Sequence, residues 1–151
     1  MKLAVGSDEK THLTQSVIEA LKERGHDLLL FGPLDADNQP WPQVASAVAE
    51  AMVGGKADEG ILFCWTGTGV SIAANKVPGI RAALCADAET ARGARRWNDA
   101  NVLCLSLRLL SEALTMEIID AWFGTTYEPN PEDDACLAQL QEIEDQFSKR
   151  F

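Results

Sequence analysis

Gly60-Ile61-Leu62-Phe63-Cys64-Trp65-Thr66-Gly67-Thr68-Gly69-Val70-Ser71 decides how this chain folds. Gly60–Cys64 is a short unbroken apolar run, as expected of a strand buried on both faces. The Gly/Thr loop then turns into a helical pattern read over Ser71–Lys76. A strand passing through a tight glycine turn into a helix is the first half of a parallel βαβ unit. Upstream, Lys2–Gly6 reads as a strand, Leu13–Arg24 as an amphipathic helix closed by Gly25, and Asp27–Phe31 as a second strand. Val44–Val53 is a helix stopped by Gly54-Gly55. Downstream, Ile80–Cys85 and Asn101–Leu105 are strands around a helix over Ala88–Arg96, and Leu110–Phe123 and Pro131–Phe147 are helices separated by a Pro-rich break.

This alternation predicts an α/β fold, a Rossmann-like three-layer sandwich with a five-stranded parallel sheet and helices on both faces. Leu28-Leu29-Leu30 and Ile61-Leu62-Phe63 are apolar on both faces, which reads as two central strands. Residues 1–151 are expected to form one domain, with the 131–147 helix packed on a neighbouring subunit. Ligands gather beyond the carboxyl ends of strands in such sheets. Attention therefore falls on Ser7–Thr11, Cys64–Ser71, Ala86–Asp87 and Ser106–Arg108.

The chain has 151 residues, 46% hydrophobic and 24% charged, enough for one ordinary core. Its net charge of −10 argues against a nucleic-acid surface, which needs clustered Lys and Arg. An anionic substrate would need a local basic patch working against that field. No apolar run approaches the ~20 residues that cross a bilayer. Met1–Gly6 leads straight into a strand, so no targeting leader is read. A cytoplasmic protein without nucleic-acid or membrane partners is expected. Cys64, Cys85, Cys104 and Cys136 form no C-x-x-C pair and are expected to be free thiols.

The Gly67-Thr68-Gly69 loop lets backbone N–H groups turn inward, a geometry suited to an oxyanion or phosphate. It lacks the third glycine of a dinucleotide fingerprint and the G-K-[ST] ending of a P-loop. Cys64 stands beside those amides, a setting that favours a thiolate able to take a proton from carbon. The bland alternative, a small hydrophobe ending a strand, is the role assigned to Cys85 and Cys104. Both readings of Cys64 stand on chemistry alone.

Gly6-Ser7-Asp8, Cys64 to Ser71, Ile72-Ala73-Ala74-Asn75-Lys76-Val77-Pro78-Gly79-Ile80-Arg81-Ala82, Thr90-Ala91-Arg92 and Asn98-Asp99-Ala100-Asn101-Val102-Leu103 resemble the ribose-5-phosphate isomerase B and galactose-6-phosphate isomerase family. The likeness runs from residue 1 to about residue 127, in order and with matching spacing. It implies that Cys64 moves a proton between C1 and C2 of an aldose–ketose pair. Amides of Gly67, Thr68, Gly69, Val70 and Ser71 would hold the enediolate oxygen, Thr66 would help open the sugar ring and Asp8 would bind substrate hydroxyls. It further implies a homodimer or dimer of dimers whose sites are completed by the neighbouring subunit, and catalysis without metal or organic cofactor.

Three departures from the family pattern stand out. Glu9 follows Asp8 where the family has His. Trp97 precedes Asn98 where the family has the His that opens the ring; indole donates only and does not titrate usefully. Glu128 to Asp134 occupies the place of an Arg/His-rich segment. The phosphate ligands of the family are thereby largely altered, and acids close to a phosphate repel it. Arg108 matches a family arginine at the exit of the fifth strand, Arg92 and Arg95 match helix positions, and one of the three is read as available to meet an anion. Lys10, His12 and Arg96 read as solvated helix-face residues. Trp41, Trp65 and Trp97 fall near the expected site; packing is the ordinary role of tryptophan, with sugar stacking by Trp65 or Trp97 as the alternative. Trp122 reads as core or subunit contact. The resulting expectation is an aldose–ketose isomerase acting through a cis-enediolate on a sugar or sugar phosphate other than ribose 5-phosphate. Asp8, Glu9, Trp65, Trp97, Asn98 and Arg108 join the loop as substrate contacts. A C2 epimerase and a non-catalytic sugar-binding subunit are the alternatives.

Overall fold

Five strands, β1 (Lys2–Ser7), β2 (Asp27–Phe31), β3 (Glu59–Cys64), β4 (Ala82–Leu84) and β5 (Val102–Ser106), form one parallel sheet in the order β2-β1-β3-β5-β4. The computed structural model describes residues 1–148; the last three residues of the expected domain lie outside the described residues. Helices α1 (His12–Glu23), α4 (Ala88–Asn98) and α5 (Glu112–Phe123) cover one face. Helices α2 (Trp41–Val53) and α3 (Thr68–Ala74) cover the other. The sequence reading of a doubly wound α/β sandwich holds.

Local chemistry explains the element ends. Thr11 and Thr14 close a reciprocal cap at the start of α1, each hydroxyl accepting from the other's backbone N–H at 3.2 and 2.9 Å. Ser111 and Asp87 cap α5 and α4 through Leu114 and Thr90 N–H. Helix α2 begins at Trp41, three residues before the expected Val44, because Pro42 lies in the first turn where its missing N–H costs nothing. Helix α3 begins at Thr68, so Gly69 and Val70 are helical and not loop.

The reading of Leu28-Leu29-Leu30 as a central strand is overturned: β2 is an edge strand and Leu29 is 38% exposed. An apolar run reports which side chains pack, not which strand lies alongside. Strand β4, expected over Ile80–Cys85, shortens to Ala82–Leu84 on the opposite edge. Asn75 compensates, donating to Ala82 O at 2.9 Å and accepting from Ala82 N at 2.8 Å. Asn101 does the same for Gly79 O and Arg81 N. These two motif asparagines are scaffold: each stands in for a missing strand partner.

Helix α6 (Pro131–Ser148) has no buried residue. Its first-turn acids suit a helix start, and Asn130 accepts from Asp133 N at 2.9 Å. Glu144 reaches back to accept from Gly79 N at 3.0 Å. Between α6 and the body lies a groove of about 1090 Å3 whose lining includes Ile80, Arg81, Asn98, Leu140 and Ile143. No helix among the described residues is long and apolar enough to cross a membrane.

Candidate active site

Register places three chain segments side by side at the carboxyl edge of the sheet. Ser7 pairs with Phe63 and Cys64 pairs with Ser106, so Asp8, Cys64 and the Leu107-Arg108 turn leave three neighbouring strands, ~4.8 Å apart. Cys64 is 5% exposed, within the core cluster shared with α2 and α3. The turn after it is tied down. Cys64 O accepts from Leu107 N at 3.0 Å and Trp65 O from Arg108 N at 2.9 Å. Ser106 Oγ donates to Trp65 O at 3.0 Å and accepts from Leu109 N at 3.1 Å.

Gly67 turns the chain with φ +75°, and a Cβ there would stand 3.0 Å from Leu105 C and 2.5 Å from Leu84 Cδ1. The position needs glycine twice over, for its left-handed backbone and for space. Thr66 and Thr68 hydroxyls lie 2.7 Å apart across the turn.

Two of the other thiols are held protonated. Full burial drives the Cys104 thiol far above its ordinary value, and burial, then the charge of Asp87, push Cys85 up to about 12. Both remain protonated packing groups, as expected of them. Cys136 is exposed on α6.

Asp8 has a buried Oδ1 that accepts no hydrogen bond. Burial, reinforced by the Glu9 charge, holds its carboxyl above the usual carboxylate value. A carboxylate oxygen stripped of water and left unpaired is costly unless a ligand hydroxyl reaches it. Glu9 is exposed and fixed through its backbone, its N–H donating to Ser7 Oγ and its carbonyl accepting from it. Trp65 and Arg108 are exposed at the same edge.

Trp97 and Asn98 do not join this group. Helix α4 descends from the carboxyl edge and ends at Asn98, just before Asn101, whose carbonyl accepts from Gly60 N at the amino end of β3. Cys64 lies at the other end of that strand, about 13 Å from Gly60 at ~3.3 Å per residue. The Trp97 ring folds back over Gly93, within 2.8 Å of where a Cβ would stand, and Trp97 is 56% exposed. Asn98 lines the α6 groove.

The arginines also sort differently from the sequence reading. Arg95 is an internal strut: it pairs with Glu59 at 2.7 Å, donates to Ala100 O and Thr125 O, and stacks 4.9 Å from the Trp122 ring. Arg92 pairs with Glu89 on its own helix. Trp122 is fully buried and donates to Glu59 Oε2 at 2.7 Å. It is core, as read. The sequence marks Ser106 and Trp41 by region only: it gives no sign that Ser106 Oγ anchors Trp65 O, 41 positions away, or that the Trp41 indole covers Gly69.

A thiol, a pinned amide loop and a carboxylate thus lie together at one edge of a doubly wound parallel sheet. The chain belongs to the Ribose/Galactose Isomerase family, whose model matches residues 3–140. It is 41% identical over 128 residues to ribose-5-phosphate isomerase B of Escherichia coli K12, covering 84% of this chain and 86% of that protein. It is 37% identical over 130 residues to D-erythrulose-4-phosphate isomerase of Pectobacterium atrosepticum, covering 85% and 86%. The solved ribose-5-phosphate isomerase B of Clostridium thermocellum superposes with a TM-score of 0.90 at 37% identity, over 97% of this chain and 99% of that one. The protein is an isomerase that interconverts aldoses and ketoses.

Proposed function

We propose that this isomerase acts on an open-chain sugar or sugar phosphate, with Cys64 as the proton-transfer base. Cys64 takes the proton from C2 of the aldose, and the electron pair moves into a C1–C2 double bond as the C1 carbonyl becomes an enediolate oxygen. The amides of Gly67–Val70 stabilise that oxygen, while Ser71 N–H donates to Gly67 O at 3.3 Å and closes the first turn of α3. Cys64, its proton exchanged with solvent, then protonates C1 while the C2 hydroxyl proton passes to the C1 oxygen, which gives the ketose with its C2 carbonyl and C1 hydroxyl. Asp8 accepts a substrate hydroxyl and Thr66 orients the reacting oxygen. The observation carrying this reading is the alignment of Asp8, Cys64 and the amide loop on adjacent strand ends. Isomerisation in deuterated water tests it: the product should carry solvent deuterium at the reacting carbon, and a complete lack of exchange would refute it.

Trp97 supports an acyclic substrate, because indole offers no titrating group to open a ring. The acids from Glu132 to Asp134, and Glu9, add repulsion where family members hold phosphate. A tetrose 4-phosphate has no free hydroxyl positioned to close a five- or six-membered ring, and one relative is named for such a substrate. We expect ribose 5-phosphate to give kcat/KM below the ~10⁴ M⁻¹s⁻¹ ordinary for a true substrate, and D-erythrulose 4-phosphate or a free aldose or ketose to exceed it. The reverse order in steady-state assays would overturn the substrate reading.

The assembly we propose is a homodimer or dimer of dimers. Its support is the separation of Trp97 and Asn98 from Cys64, together with the unburied α6, where Leu140 and Ile143 are exposed. Light scattering at micromolar concentration should give twice the 16.4 kDa chain mass or a higher even multiple. A monomer would contradict it.

A further inference from the structure

The two glycines of the loop are present for different reasons. Gly67 needs its left-handed backbone; Gly69 does not, since its φ lies outside the left-handed region. What crowds a side chain at Gly69 is Trp41: a Cβ would stand 3.0, 3.1 and 3.3 Å from three atoms of the indole, tighter than ordinary contact, so the indole would have to give way. Trp41 comes from a different element, the first residue of α2, set between Pro40 and Pro42, and it remains 41% exposed. A large aromatic left partly in water, and seated on the backbone of an amide turn 28 positions away in sequence, is not explained by core filling. The Gly67 end of the turn is wedged against Leu84 and β5, and the Thr66–Thr68 hydroxyls bridge its middle. Trp41 closes the remaining side.

We propose that Trp41 is a positioning residue of the isomerisation: it presses on Gly69 and holds the Gly67–Val70 amides in the orientation that stabilises the enediolate. This rests on the proposed role of those amides. The indole contributes no charge and no proton. Its effect is geometric, excluding water from one flank of the loop and removing the room in which the turn would swing outward. Such an effect appears in the transition state, where the oxygen carries its charge, more than in substrate binding.

The test has one arm that needs no substrate. Cys64 is alkylated with iodoacetate and with iodoacetamide, and the rate ratio is read by peptide mass spectrometry. Exposed Cys136 on α6 serves as the internal reference. Amides aimed at an anion beside Cys64 favour iodoacetate. Trp41→Ala should lower the normalised ratio about tenfold, less than the loss of a whole oxyanion donor, and Trp41→Phe should keep it. In the turnover arm, with D-erythrulose 4-phosphate, ribose 5-phosphate and free erythrulose as probes, Trp41→Ala should lower kcat while KM moves little. Trp41→Phe should restore most of kcat. Trp41→Leu, which keeps an apolar residue in the first turn of α2 but cannot cover Gly69, replaces alanine if that variant does not fold. An unchanged alkylation ratio, a Phe variant no better than Ala, or a loss confined to KM would each overturn the proposal. If the wild type converts none of the probes, the functional reading fails while the alkylation ratio still decides the role of Trp41.

Discussion

Cys64→Ala should lose ~10²–10⁴ in kcat, the contribution of a positioned general base, while unfolding within about 1 kcal/mol of the parent. Stability should change little because only one sulfur leaves a small site at the edge of the α2/α3 core cluster. The anchoring bonds made by the Cys64 and Trp65 carbonyls belong to the backbone and survive the change. No neighbouring thiol can take over. Cys104 lies in the same core cluster but is fully buried and held protonated, and Cys85 belongs to the cluster on the opposite face. Cys64→Ser should remain poor, since a hydroxyl in the same position is a far weaker base than a thiolate. Steady-state kinetics paired with urea unfolding distinguishes the cases: full activity in the alanine variant would remove Cys64 from the mechanism.

The largest stability effect is expected at Arg95→Ala. Arg95 and Glu59 have side chains only 12% and 11% exposed, and the pair is completed by the Trp122 indole N–H. Removing the guanidinium leaves a carboxylate buried with one neutral donor, and breaking such a pair from one side costs about 3–5 kcal/mol. The carbonyls of Ala100 and Thr125 lose their donor as well. The Trp122 ring loses a stacked cation worth about 0.5–2 kcal/mol. Glu59→Gln should cost less, because its amide oxygen still accepts from Trp122. Urea denaturation should therefore rank Arg95→Ala well below Glu59→Gln. Equal or negligible losses would show that the pair stands closer to solvent than its burial implies.

Sequence alone carried the architecture because strand–helix alternation is a local signal. Gly60–Cys64 followed by a glycine turn needs no distant residue to be read as β then α. The reading faltered where the answer depends on partners far along the chain. Leu28-Leu29-Leu30 looks central by hydropathy, yet its place on the sheet edge is set by which strands flank β1. Arg95 looked like a helix-face cation available to an anion, and nothing within its own helix announces Glu59, 36 positions earlier. The loop around Cys64 was legible since thiol and glycines are contiguous. Trp41 was noticed only as a nearby aromatic, because its contact with Gly69 exists only once α2 is docked. The substitutions at Glu9 and Trp97 were visible by family likeness, but no spacing rule says that Trp97 lies a strand's length from Cys64.

That separation bears on how such a protein diverges. The residues around Cys64 are packed with α2 and α3 on one face of the sheet, whereas α4, which ends beside Trp97, packs with α5 on the other. The two regions pack on opposite faces of the sheet, and the effects of their substitutions on folding should add. Drift at the foot of α4 or the start of α6 leaves the thiol and its amide turn undisturbed. On the mechanism proposed above, a lineage built this way would explore new substrate tails one neutral step at a time while its proton-transfer apparatus stayed inherited intact.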